Sequence, residues 1–392
     1  MNITIVGGGF GGVKAALELS KHRKNRVTLI SDKTDFQYYP ALYGTATGRS
    51  HLQSWVPLGQ IFAGRYNVEV IIDTVTKLDK TARTIVGTSG TTYHYGTLIL
   101  ALGSVTTYFG IEGLNTYAYG IKSSAEIKRL KEHLAYEYEH PAELDKRIVI
   151  VGAGPTGVEL AASLGTYLKH LQHYYHTPNK KVAIDLVEAA PRILPRMSEK
   201  AAALIHQRLK GLGVNIEVGK AVQSETVDTL MVSGKPIKSR TVIWTSGVAN
   251  NPFFTANADQ FELAKNGRVI VDDYMRAGKN LYVIGDNAVT KFGGLAQTAL
   301  HDAIFVARNL NRRTPKKYKA VQPPVVIPVG EGWAVVEYKK LLLSGPIASM
   351  IRSAADYIGY HDILPIGQAL GVWHSHRIYE DEYFSTAEQR GI

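Results

Sequence analysis

Short apolar blocks recur along the chain at intervals that suit a parallel sheet. Residues 3–6, 27–30, 68–71, 97–102, 148–151, 182–187, 241–244 and 281–284 are dominated by Val, Ile and Leu. Runs of this length with little polar alternation suit strands buried on both faces. Between them lie helical stretches. Residues 13–20 are rich in Ala and Leu, 167–181 read as a polar helix extension or insertion, and 293–309 read as a glycine-led helix. Weaker strand signals at 84–86 and 92–94 suggest a small antiparallel hairpin, and 36–43 read as a loop entering a helix. Strands alternating with helices predict an α/β fold.

Two of the blocks lead into a glycine fingerprint. Gly7-x-Gly9-x-x-Gly12 follows residues 3–6, and Gly152-x-Gly154-x-x-Gly157 follows 148–151. In such a loop the first glycine permits a tight turn and the second lets a pyrophosphate approach the backbone. The third lets the helix sit close to the sheet. The helix N-terminus then offers free N–H groups to the phosphates. Two fingerprints in matching strand-turn-helix positions predict two Rossmann-like dinucleotide-binding domains. Two dinucleotides in one chain imply electron transfer between them.

An acidic residue at the end of the second strand of each unit should take a ribose. Asp32 lies 20 positions past Gly12, with Ser31 beside it as the alternative. Glu188 lies 31 positions past Gly157. A carboxylate there accepts from both ribose hydroxyls and repels a 2′-phosphate, so Glu188 favours a dinucleotide whose 2′-hydroxyl is free. Arg192 is near enough in sequence to offset some of that repulsion. Gly285-Asp286 closes the strand at 281–284, at the sheet end where ligands bind.

The chain of 392 residues has 45% hydrophobic and 20% charged content, as a soluble globular protein with an ample core does. Its length suggests about two to three domains. No stretch is apolar for long enough to cross a bilayer, and the first residues run straight into strand and loop with no signal segment ahead of them. There is no cysteine, which excludes disulfides, Cys-ligated metal and thiol redox couples. His170, His173 and His176 lack the carboxylate or thiolate companions of a metal site, so no metal is expected. The net charge of +11 admits anionic partners. The cluster Arg308, Arg312, Arg313, Lys316, Lys317 and Lys319 has little aromatic interleaving and no nucleic-acid motif. It reads as a solvated face or a lipid-headgroup contact.

Taken together, these motifs resemble the two-dinucleotide flavoprotein disulfide-reductase superfamily, with its glutathione-reductase-like fold, and within it the type II NADH dehydrogenases. The most specific pieces are Ala101-Leu102-Gly103-Ser104-Val105-Thr106 and Trp244-Thr245-Ser246-Gly247-Val248. Tyr282 to Asp286 and Ala296-Gln297-Thr298-Ala299 add to them. The resemblance implies that the first fingerprint binds FAD and the second NADH. It implies that Gly285 and Asp286 hold the ribityl and pyrophosphate region, and that Ala101, Gly103 and Gly247 lie among the cofactor contacts. Thr47 and Gly48 match a segment near the flavin, and Glu159 matches a glutamate near the nicotinamide. Ala296 and Gln297 match a motif lining the isoalloxazine and the quinone entrance. Relatives often carry Gln-Gln where this chain has His301-Asp302. Superfamily branches that run on redox cysteines are excluded, which leaves direct delivery of electrons to a quinone, a carrier protein or oxygen.

The implied domains are 1–115 and 265–325 for FAD, 116–264 for NADH, and a C-terminal segment, 326–392, for membrane association or dimerisation. From Pro346, the residues Ile347, Met350, Ile351, Ala354 and Ile358 share one helical face, opposite Ser349, Arg352, Ser353 and Asp356. A second short helix after Asp362 gathers Ile363, Ile366, Leu370 and Trp373. Such helices lie in a bilayer interface or cover the protein's own core or a partner copy. On the membrane reading, Ile347, Ile351 and Trp373 insert, while Arg352 and the 308–319 cluster meet anionic headgroups at the cytoplasmic face. The leading expectation is therefore a non-proton-pumping, FAD-dependent NADH:quinone oxidoreductase, peripheral to the membrane. A soluble NAD(P)H reductase for a ferredoxin-like carrier is the alternative, and a flavin-binding protein with a basic nucleic-acid surface is a more distant one.

Overall fold

The computed structural model describes residues 1–178 and 180–380. In chain order, the elements that position the site begin with β1 (Asn2–Val6), α1 (Phe10–Ser20), β2 (Arg26–Ser31), β3 (Thr97–Leu100) and β4 (Ser104–Thr106). They continue with β5 (Arg147–Val151), α2 (Pro155–Tyr174), β6 (Ala183–Glu188), β7 (Thr241–Trp244) and β8 (Val248–Asn250). The last are β9 (Leu281–Val283), α3 (Ala296–Leu310), α4 (Pro346–His361) and α5 (Ile366–His374).

Each apolar block becomes a strand of one of two sheets, buried except for 68–71, which forms a half-exposed edge. The first sheet runs Arg276–Gly278, β9, β3, β1, β2, Val68–Ile72, and is parallel from β9 onward. Ile5, Leu29, Leu98, Ile99 and Leu100 are fully buried in it, as strands covered on both faces require. The second sheet, Val214–Val218, β6, β5, β7, is parallel throughout. After building it, the chain returns to the first sheet, where β9 pairs with β3 in the register Leu281↔Leu98. α3 then lies along α1.

The two most specific sequence runs meet in space. β4 leaves the first sheet and β8 leaves the second, and they pair antiparallel as Ser104↔Asn250, Val105↔Ala249 and Thr106↔Val248. Among the described residues, a two-stranded antiparallel pair, Asp35–Gln37 with Trp55–Pro57, and three three-stranded antiparallel sheets complete the frame. One contains the expected 84–94 hairpin plus a further strand, Val75–Asp79. The other two, over 222–238 and 325–345, lie where no strand was read from the sequence.

α4 and α5 form where the apolar spacing placed them, and α4 is turned with its polar face inward. Ala348 and Tyr360 are buried and Arg352 is nearly so, while Ile347, Met350 and Ile358 are 67%, 72% and 61% exposed. No helix among the described residues is long and apolar enough to cross a membrane.

One buried acid strains the second unit. Glu225 is 4% exposed, and its Oε2 has no hydrogen-bond partner among the described residues. Burial pushes its carboxyl up to about 8, with Arg129 opposing. A raised carboxyl pKa favours the folded state while the group is protonated. Stability is therefore retained below the ordinary value and lost as pH rises through about 8. Glu225→Gln should flatten this loss. Its Tm is expected to exceed that of the unmodified protein by several degrees at pH 9 and to match it at pH 5. Equal Tm differences at both pH values would show that Glu225 does not titrate with folding.

Candidate functional site

Both fingerprints adopt the geometry their glycines predict. Gly7 and Gly152 turn with φ of +115° and +106°, which L side chains rarely adopt. A Cβ on Gly12 would sit 1.8 Å from the Gly7 carbonyl oxygen, and one on Gly157 would sit 1.8 Å from that of Gly152. Over Gly9 and Gly154, by contrast, a Cβ would meet nothing within 4 Å. These two residues are also the N-caps of α1 and α2, and neither helix has a side-chain cap. Each unit thus presents an open glycine and uncapped N–H groups, the cradle a pyrophosphate fits.

The strand ends divide their work. Ser31 is buried under Gly8, and its hydroxyl donates to the Lys33 carbonyl at 2.7 Å and accepts from the Lys33 N–H at 3.1 Å. Asp32 is exposed beside it. Glu188 ends β6 and accepts from the N–H groups of Ala153 at 2.7 Å and Ala190 at 2.8 Å. It is thereby fixed against the second glycine loop, half-buried, with acceptor capacity left on both oxygens. Arg192 makes no ion pair with it among the described residues. That guanidinium donates to the carbonyls of Leu194, Pro195 and Met197 in its own loop.

The return of the chain after β9 builds a hub between the units. Asn287 is fully buried; its amide donates to the Gly103 carbonyl and to Asn250 Oδ1, both at 2.7 Å, and its Oδ1 accepts from the Gly103 N–H at 2.8 Å. Ser104 donates to Asp286 at 2.8 Å. Gly247 is confined by the Thr107 carbonyl, 2.4 Å from where its Cβ would lie, and by the Phe109 ring. Ala101 sits behind Gly7, and Ala296 and the exposed Gln297 open α3. So Gly7, Ala101, Gly103, Gly247, Gly285, Asp286 and Ala296 converge on the carboxyl ends of the two sheets. The sequence reading assigned no role to Asn287 or Asp302. Asp302 accepts from the Gly285 N–H at 3.0 Å.

Glu159, in the first turns of α2, is buried and faces α4. It pairs with Arg352 at 3.2 Å. Arg352 also donates to Asp356 at 2.8 Å and to the Pro40 carbonyl at 2.7 Å, and Tyr38 donates to Asp356 at 3.2 Å. Burial pushes the Glu159 carboxyl up to about 7, with Arg352 holding it back. Arg352 is therefore an internal clamp, which corrects its expected contact with headgroups. Trp373 is corrected likewise: its indole N–H is tied to the Ser353 carbonyl at 2.9 Å and its ring packs on Tyr357. Thr47 and Arg352 line a polar cavity of about 390 Å3, with Tyr43, Arg49 and Asp356 also on its wall. Gly48 stands against the Tyr167 ring of α2. Thr47 thus lies on the wall of this cavity near the Glu159 clamp, with Gly48 next to it in the chain.

Residues 1–303 match the pyridine nucleotide-disulphide oxidoreductase family. The chain is 31% identical over 332 residues to the type II NADH:quinone oxidoreductase Ndh of Mycobacterium tuberculosis, covering 79% of this chain and 72% of that protein. It is 25% identical over 396 residues to the type II NADH:quinone oxidoreductase of Staphylococcus epidermidis, covering 94% and 97%. Its fold is similar to that of NDH2 from Plasmodium falciparum solved with NADH, with a TM-score of 0.85 at 18% identity over 96% and 97% of the two chains. The sulfide:quinone oxidoreductase of Aquifex aeolicus shares the fold at a TM-score of 0.77, 20% identity, and 91% and 89% coverage. The chain belongs to the type II NADH:quinone oxidoreductases, within the pyridine nucleotide-disulphide oxidoreductase family.

Proposed function

We propose that this protein oxidises NADH through bound FAD and reduces a quinone at a membrane surface, without translocating protons. The observation that carries the reading is the pair of open glycine cradles on two sheets, bridged by β4 and β8. A flavin held between these cradles would supply acceptance of hydride from NADH and onward electron transfer.

Gly7, Gly9 and Gly12 with the start of α1 hold the FAD pyrophosphate. Asp32 takes the adenosine ribose, because the Ser31 hydroxyl is engaged by its own turn. Gly285 and Asp286 hold the ribityl region, while Ala101, Gly103 and Ala296 flank the ring. Gly152, Gly154 and Gly157 hold NADH, with Gly247 beside its nicotinamide. Residues 1–115 and 265–325 form the FAD domain around an NADH domain of 116–264. Glu159, buried and paired with Arg352, orients the nicotinamide end, and burial raises its carboxyl to about 7. Gln297 stands at the quinone entrance. The outward apolar face of α4 supports a peripheral membrane address on the cytoplasmic side, with a homodimer as the competing use of that face.

The purified protein should show a flavin absorbance band and reduce a soluble quinone with NADH. A correctly folded protein that binds no flavin, or that reduces a ferredoxin-like carrier faster than any quinone, overturns the proposal.

Nucleotide choice rests on Glu188. Glu188→Gln keeps one acceptor for the loop N–H groups and removes the charge facing a 2′-phosphate. At effective interior dielectric that charge is worth about 1–2 kcal/mol. The NADPH/NADH ratio of kcat/KM should rise roughly tenfold or more. A ratio unchanged in steady-state assays removes Glu188 from nucleotide selection.

A further inference from the structure

His301-Asp302 is the part of the sequence that the proposed function does not use, and the two side chains go separate ways. His301 Nε2 lies 3.0 Å from the Lys319 carbonyl and fastens the segment that returns along α3. Asp302 is fully buried, and both its oxygens are engaged. Oδ2 accepts from the Gly285 N–H at 3.0 Å, and Oδ1 accepts from the Tyr318 hydroxyl at 2.6 Å. Two donors and no acceptor suit an ionised carboxylate. Burial raises its carboxyl above the ordinary value, Asp286 adds to the rise, and the Tyr318 and Gly285 bonds and His301 oppose it. Gly285 itself has little freedom: its φ is +68°, and a Cβ would approach Ala299 to 3.2 Å.

We propose that Asp302 is a positioning residue for the flavin. Its buried carboxylate fixes the Gly285-Asp286 turn and sets a negative charge, shared with the Tyr318 hydroxyl, behind the flavin end of the site. The inference rests on the FAD reading above. A fixed buried anion disfavours the gain of electrons by a neighbouring group, because the field is weakly screened there. Asp302 therefore lowers the reduction potential of the bound flavin and makes onward transfer to the quinone easier. Tyr318 moderates the effect by drawing part of the charge into its hydrogen bond.

The test is an anaerobic reductive titration of flavin-loaded protein against a redox dye. Asp302→Asn leaves an acceptor for the Gly285 N–H and an amide donor for the Tyr318 oxygen, and removes the charge. Its flavin potential should move positive, with quinone reduction slowed more than NADH-driven flavin reduction. Tyr318→Phe removes the moderating donor, so at alkaline pH, where Asp302 stays ionised without that bond, the potential should move negative. A purely structural role would lower flavin content or Tm without these opposite shifts. If the Asn variant holds no flavin, the Phe variant decides alone. Flavin-loaded variants at the wild-type potential overturn this inference only. A folded wild type that takes up no flavin overturns the FAD reading, and this inference with it.

Discussion

Alanine at Gly157 is expected to reduce kcat/KM for NADH by about 100-fold or more while the flavin stays bound. The added Cβ would lie 1.8 Å from the Gly152 carbonyl oxygen and 2.7 Å from Thr245 Oγ1. The first of these is backbone and cannot rotate aside, so the start of α2 must withdraw from its loop. The N–H groups offered to the pyrophosphate withdraw with it, and misplacement of about 1 Å at a positioning group costs on the order of 100-fold. The first glycine loop lies on the other sheet, paired through β1, β2 and β3, and is untouched. Gly154→Ala separates the two effects. Its Cβ meets nothing within 4 Å in the protein, and on the proposed reading it would meet the NADH pyrophosphate. It should leave Tm unchanged and raise KM for NADH. Measured side by side, wild-type NADH kinetics in Gly157→Ala with normal flavin content would show that the second fingerprint is not the NADH cradle.

What the sequence made legible, and what it did not, divides by the range of the interactions. The glycine loops follow from local rules, since turn, open face and helix contact all fall within six residues. The strands before them are short apolar runs whose burial on both faces needs no partner to be named. Asp302 is different. Its donors are Gly285, 17 residues earlier, and Tyr318, 16 residues later. Nothing in a helix reading of 293–309 distinguishes a buried carboxylate from a solvated one. Arg352 is more remote still, 193 residues from Glu159 and 312 from Pro40. The two faces of α4 were plain from the spacing of its residues, but periodicity cannot say which face meets the protein. Here the answer is the polar one, because Glu159, Pro40 and Tyr38 supply partners for Arg352 and Asp356. An arginine read as meeting headgroups thus became an internal clamp, and the apolar side was left outward.

That inversion gives the membrane address a sharp test. Replacing Ile347, Met350 and Ile358 together by Ser should release the protein from anionic vesicles and leave its flavin content and NADH oxidation with small soluble acceptors intact. Truncating the segment would be a poorer experiment, because Tyr360, Ile363 and Leu364 belong to the main hydrophobic core. The three chosen side chains are 67%, 72% and 61% exposed, so the fold loses little packing with them. Full burial of each is worth roughly 1.5–3 kcal/mol. Even partial insertion of all three makes the expected fall in vesicle partitioning about 100-fold or more. Reduction of a long-tailed quinone in vesicles should fall in parallel, since that substrate is met at the interface. Salt should weaken binding of the unmodified protein without abolishing it, because charge is screened and apolar burial is not. Co-sedimentation at several salt concentrations, with sedimentation velocity on the same samples, separates the alternatives. A wild type that stays in the supernatant as a dimer, with a monomeric triple variant, assigns the face to a second copy. A triple variant that sediments with vesicles as the wild type does removes α4 from membrane contact.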